Sequence, residues 1–222
     1  MDINEITKEM IRDLLAMLDA DEAPEVWDYL SGLIRDEDGA PLDETPYNVA
    51  RKLSKMKAVP RLVWDFIIAL LELEIEDGNA DAMNDLGAMY YDGTGCEQSF
   101  EKAVHYYKMA AAHGSRQAQE NLGYCYYYGR NIPADYEKAF HYFALGAFDG
   151  HLVSLYKLGD MYMNGYYVAK NETEAFHIYE RCMDTMTDEA APYVAGPVFL
   201  RLGKAFLYGT LSGAVESVPK RK

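Results

Sequence analysis

A Leu-Gly dipeptide returns along this chain at a fixed interval. Leu86-Gly87 recurs 36 residues later as Leu122-Gly123 and after 36 more as Leu158-Gly159, and a fourth copy, Leu202-Gly203, follows after 44. An aromatic residue follows each copy, at Tyr90, Tyr126, Tyr162 and Phe206, and then a glycine, at Gly93, Gly129, Gly165 and Gly209. Further along, Lys102-Ala103, Lys138-Ala139 and Glu174-Ala175 precede Tyr106-Tyr107, Tyr142-Phe143 and Ile178-Tyr179, and Gly114 and Gly150 close two of the units. Self-similarity on this scale marks a repeat array, in which one unit cannot cover its own apolar face and stacked units bury a continuous core. A chain of 222 residues has room for one such array or about one and a half ordinary domains, which rules out a large multidomain assembly.

Each unit is predicted to form two helices. Ala82, Leu86 and Tyr90 lie at i, i+4 and i+8, one stripe of an α-helix, and Gly93 stands where a left-handed residue ends it. The next helix begins at Ser99, Asp135 or Asn171, which share a short side-chain oxygen able to accept from the free N–H groups of a first turn. In that second helix Ala103, Tyr106, Tyr107 and Ala110 face back toward the first. Glycine inside a helix costs about 1 kcal/mol relative to alanine, so Gly87 and its equivalents imply close approach of the partner helix.

The recurring frame, carried by Ala82, Leu86, Gly87, Tyr90, Gly93, Gly95, Ser99, Lys102 and Ala103, resembles the SEL-one-like repeat (SLR), a relative of the tetratricopeptide repeat. The resemblance extends over residues 79 to 185 and in part to Gly209. It implies an all-α fold, a right-handed superhelical α/α solenoid, that serves as a scaffold for protein complexes, with no catalytic residues to carry over. The sequence departs from the frame in places: Asn131 and Tyr167 replace Gly95, Ser154 replaces the first alanine, and the third unit is longer by about eight residues. The units are expected at 79–114, 115–150 and 151–194, with a partial fourth at 195–222 that stops after its first helix and a tail that reads as a cap.

Residues 1–78 lack the signature and are expected to form an acidic helical cap with a degenerate first repeat, closed by Gly78. Two amphipathic helices are predicted at Glu5 to Asp19 and Pro24 to Arg35, and the stretch from Pro60 to Gly78 presents Trp64, Ile67, Leu71 and Ile75 on one face. This segment holds 19 acidic and 8 basic residues, so it carries most of the formal net charge of −15. Such a field repels phosphate backbones and anionic lipid, which argues against nucleic acid and acidic membranes as partners. It fits a solvated cap, with a docking patch for a basic partner as the alternative.

The chain opens on MDINEITKEM, without a basic stretch before an apolar run, and the longest apolar run, Phe66 to Leu71, is far short of the roughly 20 residues of a membrane span. Cys96, Cys125 and Cys182 are an odd set without ligand spacing, so neither a disulfide framework nor a zinc site is expected, and the compartment that fits best is the cytoplasm.

Chemistry has few footholds. Ser54-Lys57, Ser99-Lys102 and Ser154-Lys157 carry the S-x-x-K spacing of penicillin-recognising enzymes, but the companion S-D-N and K-T-G tripeptides do not occur. His105, His141 and His177 recur at the repeat period, yet helices packed about 8–10 Å apart cannot present them to one metal ion at about 2 Å. No catalytic residue, metal site or cofactor is predicted.

A binding surface is. In tetratricopeptide-like arrays the first helix of each pair lines the concave face. That register names Asn84, Ala88 and Tyr91 in the first unit and Glu120, Tyr124, Tyr127 and Tyr128 in the second. It names Tyr156, Asp160, Met163 and Asn164 in the third, and Lys204, Leu207 and Tyr208 in the fourth. Tyrosine combines a large apolar area, a hydroxyl and few torsions, as binding hot spots require. The expected function is a protein-interaction adaptor holding an extended or helical peptide, with some of these tyrosines sealing seams between repeats instead. The alternative is a hydrolase or small-molecule binder in the hollow, and a further possibility is self-association through an uncovered apolar end formed by Val198, Leu202 and Phe206.

Overall fold

The computed structural model describes residues 3–34, 42, 44–186 and 191–207, with the side chains of 191–194 and 204–207 left aside. The described residues form eleven α-helices and no strand: α1 Ile3–Met17, α2 Pro24–Leu33, α3 Pro46–Leu53, α4 Arg61–Glu76, α5 Ala80–Asp92, α6 Phe100–Ala112, α7 Arg116–Tyr128, α8 Tyr136–Phe148, α9 Leu152–Asn164, α10 Glu172–Asp184 and α11 Ala191–Leu207. The fold is all-α, of the helical-solenoid class. The chain falls into two compact units, Met1–Ala118 and Gln119–Lys222, with the boundary inside α7.

The first unit is built on α4, whose Val63, Ile67, Leu70 and Leu71 are buried among Ile11 and Leu14 of α1, Val26 and Leu30 of α2, Val49 and Leu53 of α3, and Ala82 and Leu86 of α5. Trp64 and Ile75 are only half-buried at the edge of the predicted face. Helices α3 and α4 pack together as a hairpin ahead of α5. Thr45 caps α3 by accepting from the Asn48 N–H at 3.2 Å, with Pro46 in the first turn where its missing N–H costs nothing. Glu74 ties the hairpin to the next one: Oε1 accepts from the Tyr47 N–H at 3.0 Å and Oε2 from Asn79 Nδ2 at 2.8 Å, while Asn79 caps α5.

The repeat hairpins form as the sequence dictates. Gly93, Gly129 and Gly165 all adopt positive φ, which ends α5, α7 and α9 at no steric cost. The side chains of Ser99, Asp135 and Asn171 accept from the N–H groups of Lys102, Lys138 and Glu174 at 3.3, 3.0 and 3.0 Å. The departures from the frame at Gly95 now have a cause. Gly95 has φ +68°, and a Cβ there would lie 2.4 Å from the Trp64 indole, so this copy admits only glycine. Asn131 and Tyr167 keep the left-handed turn, at φ +53° and +67°.

In the second unit, Ala139 and Phe143 of α8 pack with Met161, and Leu155 of α9 is buried with Ala175, Ile178, Tyr179 and Cys182 of α10. One expectation fails here. Val198 is fully buried and Leu202 half-buried against this α9–α10 core, so they do not form an uncovered end. The reason is that α11 lays them against α9 and α10. Among the described side chains of α11, the exposed large apolar ones are Phe199 and Leu200. The Phe206 side chain, Tyr208 and Gly209 lie outside the described residues.

Candidate functional site

Within the second unit, the helices leave a cleft of about 900 Å³. Tyr127 and Tyr128 at the end of α7 form one wall, and Tyr136 at the start of α8 and Tyr166 in the turn after α9 form another, their two rings stacked at 4.4 Å. Ala134 before α8, Lys157, Asp160, Met163 and Asn164 of α9, Glu172 and Tyr179 of α10, and Leu200 and Arg201 of α11 complete the lining.

The floor is ionic. Asp160, largely buried, accepts from Arg201 Nε at Oδ1, from Arg201 Nη2 at Oδ2 (2.5 Å) and from the Tyr179 hydroxyl at 2.8 Å. A planar guanidinium meeting a carboxylate through two parallel bonds is the strong form of this pair. Arg201 also donates from Nη1 to the Pro197 carbonyl at 2.8 Å, and its guanidinium sits 5.0 Å from the centre of the Tyr156 ring. Beside it, Lys157 is 5% exposed and places Nζ 5.4, 5.1, 4.9 and 5.4 Å from the ring centres of Tyr124, Tyr127, Tyr128 and Tyr156. Aromatic faces attract an ammonium within about 6 Å, which offsets part of the cost of burying it. Nζ also donates to the Tyr128 hydroxyl at 2.6 Å and lies 3.8 Å from Asp160 Oδ2.

Burial, with the Asp160 carboxylate next, raises the Tyr127 and Tyr179 phenols well above their usual range, and burial with the Tyr156 hydroxyl does the same for Tyr124. All three remain protonated donors at neutral pH. Burial also pushes the thiols of Cys125 and Cys182 up to about 11, so both pack as apolar groups.

The residues named from sequence are dispersed by the fold. Tyr127, Tyr128, Asp160, Met163 and Asn164 line the cleft. Tyr124 and Tyr156 stand behind it, their hydroxyls 3.4 Å apart, and Tyr124 packs edge-on against Phe143. Glu120 is buried, with Oε2 3.0 Å from His151 Nδ1. In the first unit, Ala88 lines a separate slot of about 250 Å³ with Trp64, Ile67, Leu71 and Asp85. There Asn84 is buried and donates to Asp85, and Tyr91 packs against Phe100. The Lys204 side chain lies outside the described residues. Sequence reasoning missed Tyr136, Tyr166, Glu172, Tyr179, Leu200 and Arg201, and met Lys157 only as the last residue of an S-x-x-K match. A usable signal was present: Asp85, Asn121, Lys157 and Arg201 each stand immediately before a Leu-Gly pair, and in the last two copies that position is cationic.

The S-x-x-K serines lie on three different helices or their ends. Ser54 donates to the Arg51 carbonyl, Ser99 caps α6, and Ser154 has no exposure. His105, His141 and His177 are exposed on α6, α8 and α10.

The description of the Sel1 repeat family matches residues 80–115, 116–151 and 152–181. The chain belongs to the Sel1 repeat family. Among solved structures, a Sel1 repeat protein from Oxalobacter formigenes is 30% identical over 57% of this chain and 95% of its own, with a TM-score of 0.46. A protective antigen of uropathogenic Escherichia coli with an SLR fold matches at 24% identity and TM-score 0.58, over 63% of this chain and 30% of that one. Cysteine rich protein B of Helicobacter pylori matches at 22% identity and TM-score 0.41, over 55% and 92% of the two chains. The present chain therefore spans less than a third of the Escherichia coli antigen it matches. Among curated proteins, no match is found. The three Sel1 repeats coincide with α5–α6, α7–α8 and α9–α10, so the cleft is formed by the second and third of them together with α11. No described helix is long and apolar enough to cross a membrane.

Proposed function

We propose that this Sel1 repeat protein is an adaptor that holds an extended or helical segment of a partner protein in the cleft of its second unit. Sel1 repeats typically serve as protein-interaction scaffolds, and a cleft of about 900 Å³ walled by Tyr127, Tyr128, Tyr136 and Tyr166 is the observation that supports this placement. The rings are fixed by stacking on one another, so they lose little side-chain freedom on binding, and Met163 adds an adaptable apolar surface.

The test is a selection of displayed random peptides on the wild-type chain, followed by affinity measurements on Tyr127→Ala and Tyr136→Ala. A ring at the centre of a buried contact contributes about 2 kcal/mol, so each variant is expected to bind the recovered peptides about 30-fold more weakly while its circular dichroism stays helical. Recovered peptides whose affinity neither substitution changes would remove the cleft from the proposal.

A further inference from the structure

We propose that the floor of this cleft is a carboxylate-binding site, so that the segment the adaptor takes is anchored by an acidic side chain or a free C-terminus. This rests on the adaptor reading and adds the chemistry of the ligand.

The argument starts from Lys157. An ammonium carries three donors, and Nζ of Lys157 has one oxygen within hydrogen-bond distance, that of Tyr128, although the residue is only 5% exposed. Asp160 Oδ2, at 3.8 Å, is an ion-pair contact beyond hydrogen-bond reach. Two N–H groups of a buried cation that lines the cleft thus face aromatic rings and the longer Asp160 contact, with no further hydrogen-bond acceptor among the described residues. Asp160 cannot turn to serve them, because both of its oxygens accept from Arg201 and one also accepts from Tyr179.

Charge counting points the same way. Lys157 and Arg201 share the single carboxylate of Asp160, and Glu172 at the rim is paired with Lys170 at 2.6 Å. One positive charge is left over in a tyrosine-walled space, in a chain whose net charge is −15. A local excess of one favours a monoanion over a phosphate dianion, and the burial of Lys157 and Asp160 strengthens each charged contact. The stacked Tyr136 and Tyr166 then provide apolar surface for the residues flanking the carboxylate.

The experiment uses dodecapeptides selected on the whole wild-type chain from a random library displayed with free C-termini. The recovered peptide is resynthesised with its acid converted to the amide (Glu→Gln, Asp→Asn or a C-terminal carboxamide) and with phosphoserine in place of the acidic residue. All three are titrated onto the wild type and onto Lys157→Met, a variant of similar volume. The expected result is a loss of at least tenfold for the amide on the wild type, and a difference of less than twofold between acid and amide on Lys157→Met. Tighter binding of the phosphoserine peptide by tenfold or more would assign the floor to phosphate and overturn the carboxylate. Equal affinity of acid and amide on the wild type would overturn the anion site while leaving the adaptor reading in place, and this comparison holds even if Lys157→Met does not fold. Recovery of no peptide would overturn both.

Discussion

The ring of Tyr179 fills the space beside Gly159 where any other residue would carry a side chain: a Cβ at Gly159 would lie 2.5 Å from Cε1. The same pairing recurs a repeat earlier between Gly123 and Phe143, at 2.9 Å, and in the first repeat between Gly87 and Tyr107, at 2.7 Å. Alanine would improve helix propensity by about 1 kcal/mol at each site, but forcing a methyl into a buried ring costs typically 1–3 kcal/mol. The clash wins at Gly159, because Tyr179 is fully buried and its hydroxyl is held by Asp160. Gly159→Ala is expected to lower stability by about 1–2 kcal/mol in urea unfolding. Gly203, the fourth of the series, has nothing within 4 Å of its would-be Cβ, so Gly203→Ala is expected to raise stability by up to about 1 kcal/mol.

Asp160 holds α9, α10 and α11 together at one point, through Tyr179 and Arg201. Removing one partner of a buried ionic cluster leaves the others uncompensated, a loss of roughly 3–5 kcal/mol. Asp160→Ala strands both Lys157 and Arg201, so it is expected to cost that much in chemical unfolding. The double variant Asp160→Ala/Arg201→Met removes the stranded guanidinium and should recover at least 1 kcal/mol of it. A loss in the double variant equal to the sum of those in Asp160→Ala and Arg201→Met alone would show that the pair is not coupled.

The periodic part of this fold was legible in the sequence because each signal acts within a few residues. A glycine ends α5, α7 and α9, and a short oxygen-bearing side chain starts α6, α8 and α10. Side-chain direction across the array was less legible. The register that named Asn84 and Glu120 as concave positions treats all first helices as equivalent, yet these two are buried with internal partners. Tyr136 and Tyr166 escaped notice because they lie at a helix start and in a turn, where the helical stripe says nothing. Arg201 is related to Lys157 by 44 residues, outside the 36-residue period, and only the Leu-Gly pair that follows each of them aligns the two.

Ser154 stands where the first two repeats have Ala82 and Ala118, and the cost of the exchange is visible. Its side chain has no exposure, and Oγ has no hydrogen-bond partner among the described residues. A buried hydroxyl without a partner forfeits its hydration, worth about 1–3 kcal/mol, and alanine restores the residue of the other copies without opening a cavity larger than an oxygen atom. Ser154→Ala is expected to stabilise the chain by about 1 kcal/mol, raising the urea midpoint with an unchanged slope. A loss of stability would mean that the hydroxyl is satisfied in solution.

Asp135 makes one repeat sensitive to acid. Its carboxylate accepts from the Lys138 N–H at 3.0 Å and pairs with Lys138 Nζ at 2.7 Å, and these contacts hold its carboxyl below the usual range while raising the Lys138 ammonium. A carboxyl lowered by folding contributes stability at pH values above its unfolded value, about 3.9, and loses that contribution as pH falls through the folded value. Ser99 and Asn171 cap the neighbouring repeats with groups that do not titrate. Asp135→Asn keeps the cap but removes the charge. The wild type is therefore expected to be the more stable of the two at pH 7, with an advantage that shrinks steadily below about pH 4. Ser99→Ala should cost about 1 kcal/mol at either pH. Urea unfolding of the three chains between pH 7 and pH 3 measures this, and a constant difference between wild type and Asp135→Asn would mean that the carboxylate charge contributes nothing.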